Sequence, residues 1–297
     1  MGRPFDTSRG RAGQKLATRC PPTFALQIDC QALCNRNATV LNHLSWLQTN
    51  GLRFLVRGLK ARFRDQKVEF AVIRRHVRSG DIVCDIGANK GSFVFWLSRW
   101  CRKGTVVAFE PQPLLAHSLA EMCSRLRLDN VRVEAKAVYS RSGRIDLFVP
   151  NDHSPGASLI GKFRTTNDCE SVSVPMVSLD DYFDTDKRVS LLKIDVEGAE
   201  LEIFKGAERI LREQSPLLVF ECEDRHLEAG SVQDVFSYLK SLGYKGSFIC
   251  RNTLLPLSAF DPSVHQRQDG EWFWKKEGYC INFVFAKSSL FANLKVG

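Results

Sequence analysis

From residue 68 onward the apolar positions fall into short runs separated by stretches of helical spacing. Runs at 82–86, 105–109, 131–135, 191–194 and 217–221 have the length and content of buried strands, and 92–100, 114–128, 199–211 and 232–242 carry apolar residues three and four apart. A helix through Val72, Ile73 and Val77 precedes the first strand and stops at Ser79-Gly80. The last helix has the clearest ends, with Ser231 as N-cap, Asp234 three residues on and Gly243 beyond. Strands alternating with helices imply a mostly parallel sheet, because parallel neighbours need a crossover and the crossover packs on a face. The fold class predicted is doubly wound α/β. Two β-like stretches, 144–149 and 172–177, have no helix between them and read as an inserted hairpin. Strands at 248–250 and 279–286 are placed to close the sheet edge.

Upstream the pattern differs. Apolar residues from Val40 to Leu59 keep a helical spacing with a break at Asn50-Gly51, and the part after the break, 52–64, adds Arg53, Arg57, Lys60, Arg62 and Arg64 to an apolar face. Such a helix either packs on the domain behind it or makes peripheral contact with an anionic membrane. Arg3, Arg9, Arg11, Lys15 and Arg19 stand against Asp6 in the first twenty residues, with no apolar stretch behind them, which does not make a secretory signal. Three parts follow: a basic flexible tail at 1–22, with organelle targeting as its alternative reading, a helical N-terminal extension at 23–66, and the α/β domain at 67–297.

Composition narrows this little: 44% hydrophobic and 25% charged residues is ordinary globular usage, and no apolar run approaches the roughly 20 residues of a spanning helix. The ten cysteines stand without a CxxC pair, which fits buried thiols in a reducing compartment and a cytoplasmic chain. The net charge of +9 suits an anionic partner such as nucleic acid or a membrane surface, although solvated cationic faces need none.

Candidate chemistry concentrates at Asp85-Ile86-Gly87-Ala88-Asn89-Lys90-Gly91, a strand running into a glycine-bearing turn and a helix. In open α/β sheets ligands bind beyond the carboxyl ends of the strands, where glycines admit close backbone approach. Glu110 ends the next strand at the spacing of a carboxylate that accepts both ribose hydroxyls. A dinucleotide fingerprint would place Gly where Asn89 stands, and Asp85 suits an amino-acid ammonium group better than a pyrophosphate. The turn therefore favours S-adenosylmethionine over NAD. A second strand-turn-helix run, Lys193-Ile194-Asp195-Val196-Glu197-Gly198-Ala199-Glu200, sets carboxylates at a helix start, where the dipole alone stabilises them by about 0.3–1 kcal/mol. Asp195 sits where its strand opens into the same cleft as Gly87 and Glu110.

With these runs, Phe109-Glu110-Pro111, Ser178-Leu179-Asp180-Asp181-Tyr182 and Lys205-Gly206, the sequence resembles the FkbM-type family of class I S-adenosylmethionine-dependent methyltransferases over roughly 68–286. The resemblance implies a Rossmann-like, seven-stranded sheet whose final strand is antiparallel, and methylation of a hydroxyl oxygen on a small molecule or glycan. It implies that Asp85, Gly87, Asn89 and Gly91, with Ala88 in the same turn, hold the methionine end, that Glu110 holds the ribose, and that Ala137 and Val138 lie near the adenine.

A hydroxyl acceptor must lose a proton, and Asp195 and His153 are the candidate general bases, His153 because its ordinary pKa is about 6.5. No metal is required; Asp195, Glu197 and Glu221 offer hard oxygen ligands as an alternative Mg²⁺ site. Lys193 reads as an ion-pair partner of these acids. Trp272, Phe273 and Trp274 either line an acceptor pocket or cover the sheet edge. Two rival functions stand beside the first: an RNA methyltransferase using the basic N-terminal region, and a non-catalytic binding protein of the same fold.

Overall fold

The computed structural model describes residues 50–150, 169–227 and 230–287. His153, the tail at 1–22 and the helical pattern before Asn50 lie outside these residues. Eleven strands are described: β1 Ile82–Ile86, β2 Thr105–Phe109, β3 Val131–Glu134, β4 Ala137–Val138, β5 Gly143–Pro150, β6 Cys169–Val177, β7 Val189–Ile194, β8 Leu217–Glu221, β9 Tyr244–Cys250, β10 Thr253–Pro256 and β11 Asn282–Lys287. The α-helices are α1 Leu52–Lys60, α2 Lys67–His76, α3 Val94–Trp100, α4 Pro113–Arg125, α5 Leu179–Tyr182, α6 Glu200–Lys205, α7 Glu208–Glu213, α8 Val232–Ser241 and α9 Pro262–His265.

Eight strands form one sheet in the order β3-β2-β1-β7-β8-β11-β9-β10. β1, β2, β3, β7 and β8 pair in parallel, and the late strand β11 enters antiparallel between β8 and β9. This is the doubly wound sheet predicted, with one strand more than seven. The extra strand is β10, turned back onto β9 by Arg251 and Asn252, both at left-handed φ (49° and 58°) as a two-residue hairpin turn requires. The hairpin of β5 and β6 is antiparallel as expected but longer, and β6 also pairs in parallel with β4, giving a separate three-stranded sheet.

Both faces of the large sheet are covered. Phe204, Phe220, Phe236, Phe283 and Phe285 pack on one face, and Phe70, Ile73, Phe93 and Leu97 on the other. The single helix predicted over 199–211 is two, because α6 stops at Gly206, where a β-carbon would stand 2.1 Å from the Tyr139 carbonyl oxygen. The basic segment 52–64 is also not one regular helix: α1 runs into a π-helical turn at Ala61–Asp65. It does pack on the domain, through Phe54 against Phe95 and through a hydrogen bond donated by Trp96 Nε1 to Gly58 O at 2.8 Å.

Candidate functional site

The turns after β1 and β7 meet backbone to backbone. Asp195 N donates to Ile86 O at 2.9 Å, and Gly87, at φ +76°, brings its Cα so close that a β-carbon would lie 1.9 Å from Asp195 O. No other residue type fits there, for both the backbone angle and the space exclude a side chain. Gly87 N and Ala88 N donate to Phe109 O at 2.9 and 3.0 Å, which ties the β1 turn to the end of β2 and sets Glu110 beside it.

Glu110 is buried, and its carboxylate accepts Asn89 N at Oε2 (2.7 Å) and Gln112 N at Oε1 (3.0 Å). Burial pushes this carboxyl above the ordinary range, and the two amide bonds work against that rise. Each oxygen keeps a lone pair for a further donor. A cavity of about 220 Å³ opens here, lined by six residues named from the sequence: Gly87, Asn89, Glu110, Ala137, Val138 and Asp195.

Three other residues named from the sequence do not line it. Asp85 is buried beneath the turn, with both carboxylate oxygens lacking a hydrogen bond and Lys193 Nζ at 3.6 Å. Ala88 packs into the cluster of Phe54, Val94 and Phe95. Gly91 owes its place to packing as well, since a β-carbon there would stand 2.6 Å from Leu119 and 2.7 Å from Phe54. Conversely, Lys136, Leu147 and Glu197 line the cavity and were not assigned to the cofactor from the sequence. Leu147 comes from the inserted hairpin, whose Ile145, Leu147, Val149 alternation marked a buried face without saying where it would lie. Lys136 pairs with Glu134 at 2.8 Å, and that carboxylate also accepts the Tyr182 hydroxyl at 2.8 Å.

Asp195 is the half-exposed end of a charged chain. Its Oδ2 accepts Lys193 Nζ at 3.0 Å, and Lys193 is almost fully buried, its ammonium 4.6 Å from the centroid of Phe93. Asp85 and Lys193 are register partners on β1 and β7, so both side chains leave the sheet on one face and must meet. Burial alone would lower the lysine, but Asp195, Asp85 and Glu221 outweigh it and hold the ammonium above its usual range. Burial likewise pushes Glu197 up to about 7 against the pull of Arg225. Among the described residues no group of three or more His, Cys, Asp or Glu has the arrangement of a metal site, and Asp195, Glu197 and Glu221 form no such group. Trp272 and Trp274 are exposed, and Phe273 lines a different cavity with Cys250, His265 and Tyr279, next to the edge formed by β9 and β10.

A family profile described as "Methyltransferase FkbM domain" matches residues 85–245, more than half of the chain. The chain belongs to that family. Among its relatives, "Methyltransferase 1" of Beauveria bassiana (strain ARSEF 2860) is 27% identical over 144 residues, 42% of this chain and 57% of the relative. "Methyltransferase sdnD" of Sordaria araneosa is 29% identical over 161 residues, 44% and 61% respectively. The chain thus spans less than two thirds of the length of either. The crystal structure of methyltransferase FkbM from Methylobacillus flagellatus KT superposes with a TM-score of 0.46 at 16% identity, covering 84% of this chain and 60% of that one.

The group that an FkbM domain implies is S-adenosylmethionine, and the residues present fit it. Glu110 has acceptor capacity for a ribose diol at a buried, fixed position, and Ala137, Val138 and Leu147 give an apolar wall for a base. Among the described residues no helix is long and apolar enough to cross a membrane.

Proposed function

We propose that this FkbM domain uses S-adenosylmethionine to methylate a hydroxyl oxygen of a small molecule or glycan. The observation that carries the reading is the joint placement of Glu110 and Asp195 on one cavity at the carboxyl ends of β2 and β7. The bound donor supplies a methyl group on a sulfonium centre, open to in-line displacement. Glu110 anchors the ribose and so fixes the distance from the nucleoside to the acceptor side. Asp195, with Oδ2 held by Lys193, offers Oδ1 to the acceptor hydroxyl and takes its proton as the new bond forms. Ala137, Val138 and Leu147 wall the base of the nucleoside, and alignment of donor and acceptor with exclusion of water does most of the work of methyl transfer. His153 is the second candidate base.

Titration calorimetry with S-adenosylhomocysteine tests the cofactor assignment. Wild type binds in the micromolar range, Glu110→Ala loses at least about tenfold, as expected for a charge-assisted hydrogen bond worth about 1.5–3 kcal/mol, and NAD gives no heat. Absence of binding to folded wild type removes the methyltransferase reading in favour of a non-catalytic protein. Once an acceptor is found, Asp195→Asn and His153→Ala separate the two bases, because the true one loses kcat without losing cofactor affinity.

A further inference from the structure

Helix α1 has two apolar faces, and the domain covers one of them. Phe54 and Gly58 are buried on the domain side, with Ala61 following in the π-helical turn. At about 100° per residue, Leu52, Val56 and Leu59 form a narrow ridge on the side opposite to Phe54 and Gly58. They are 62%, 37% and 44% exposed, and Phe63 adds a ring that is 57% exposed. The same rotation puts Arg53, Arg57 and Lys60 together on one flank of the ridge. Among the described residues no carboxylate forms an ion pair with any of these three, whereas Arg64 is paired with Asp65 at 2.6 Å. An apolar ridge pointing away from the protein, with long cationic side chains beside it, is the arrangement in which a helix lies in a headgroup layer while its lysines and arginines reach the phosphates.

We propose that this ridge docks on an anionic lipid bilayer. Charge selects that occupant over the two others the molecule itself could supply. Residues 1–19 carry five Lys and Arg against one Asp, and residues 20–49 carry one Arg against one Asp, so neither stretch brings the net negative charge that the flank calls for. A second copy would bring its own Arg53, Arg57 and Lys60 to the same place. An anionic bilayer meets both requirements, an apolar depth for Leu52, Val56, Leu59 and Phe63 and negative charge for the flank. The surface is independent of the methyl-transfer reading and stands or falls separately from it.

Vesicle flotation of the full chain tests the proposal, with phosphatidylcholine alone and with phosphatidylcholine and phosphatidylserine in equal parts. Wild type floats with the mixed vesicles and stays down with the neutral ones, and raising the salt reduces binding. The exposed triple variant Leu52→Gln, Val56→Gln, Phe63→Gln lowers the partition by about tenfold or more, and Arg53→Gln and Lys60→Gln each lower it about fivefold at low salt. Melting curves and solution mass are measured on the same preparations, so that a folding defect is seen as such. Three results overturn the proposal: wild type that does not float, variants that float like wild type, or a wild-type dimer that the triple variant converts to monomer.

Discussion

Lys193 is the residue on which the most charge depends. It stands between Asp85 and Asp195 at 3.6 and 3.0 Å, and almost no solvent reaches it or Asp85. Removing one partner of a buried pair leaves an uncompensated charge, which costs more than the pair ever contributed. Lys193→Met is expected to lose about 3–5 kcal/mol in urea unfolding at pH 7. The loss should shrink at pH 5, because burial has already pushed the Asp85 carboxyl up to about 6 and proton uptake then neutralises it. Adding Asp85→Asn should recover part of the loss, a coupling that a double-mutant cycle reads directly. A variant within about 0.5 kcal/mol of wild type would mean that water or rearrangement compensates the two acids. Gly91 and Ala88 teach the complementary point. The resemblance assigns them to the cofactor, and the structure adds a packing role, since their neighbours Phe54 and Leu119 arrive from distant parts of the chain, which no local pattern reveals.

At the scale of elements, the run Lys205-Gly206 and the run Ser178 to Tyr182 explain each other. Asp180 N donates to Gly206 O at 2.9 Å, and the Asp180 carboxylate accepts Arg209 N and Ile210 N at 2.7 and 3.1 Å, capping the start of α7 from another element. Gly206→Ala would drive a β-carbon into the Tyr139 carbonyl and is expected to cost about 1–3 kcal/mol or more, read as a lower urea midpoint with unchanged S-adenosylhomocysteine affinity of the folded fraction. An unshifted midpoint would show that α6 can slide away from β4. Strands β1, β2, β7 and β8 and the turns after β1 and β7 were legible because strand, turn and helix start lie within about ten residues of sequence. That is also why Gly87, Glu110 and Asp195, which line one cavity, could be named from the sequence. What escaped depends on long-range placement: the break between α6 and α7 on a distant carbonyl, Leu147 and Lys136 on where the inserted hairpin settles. The eighth strand did carry a local signal in Asn252, a residue that tolerates left-handed φ, but Arg251 beside it does not announce a hairpin.

Over the whole molecule, acids that are individually unremarkable add to one pH dependence. Burial pushes Asp85 up to about 6, Glu69 and Glu197 up to about 7, and Glu200 up to about 8, from ordinary values of 3.8 for the aspartate and 4.5 for the glutamates. Between the ordinary and the raised value each group holds more proton in the folded chain than in the unfolded one. Stability therefore falls as pH rises through that window, here from about 4 to about 8. A net charge of +9 works the other way, since acidification adds positive charge and self-repulsion. Above pH 5, however, surface repulsion is screened within about 8 Å at physiological salt, and His76, lowered by burial, opposes the buried acids as one group against four. Of these four, Glu200 is raised furthest from its ordinary value. Its Oε1 accepts Gly198 N at 3.2 Å, while its buried Oε2 meets no hydrogen-bond partner, an arrangement a neutral carboxyl tolerates and a carboxylate does not. The melting temperature is expected to be higher at pH 5.5 than at pH 8, and Glu200→Gln should flatten the curve by raising stability at pH 8, on the order of a few kcal/mol, with little change near pH 5. A wild-type curve that is level or rises from pH 5.5 to pH 8 would mean that these carboxylates find solvent or counter-ions when they ionise.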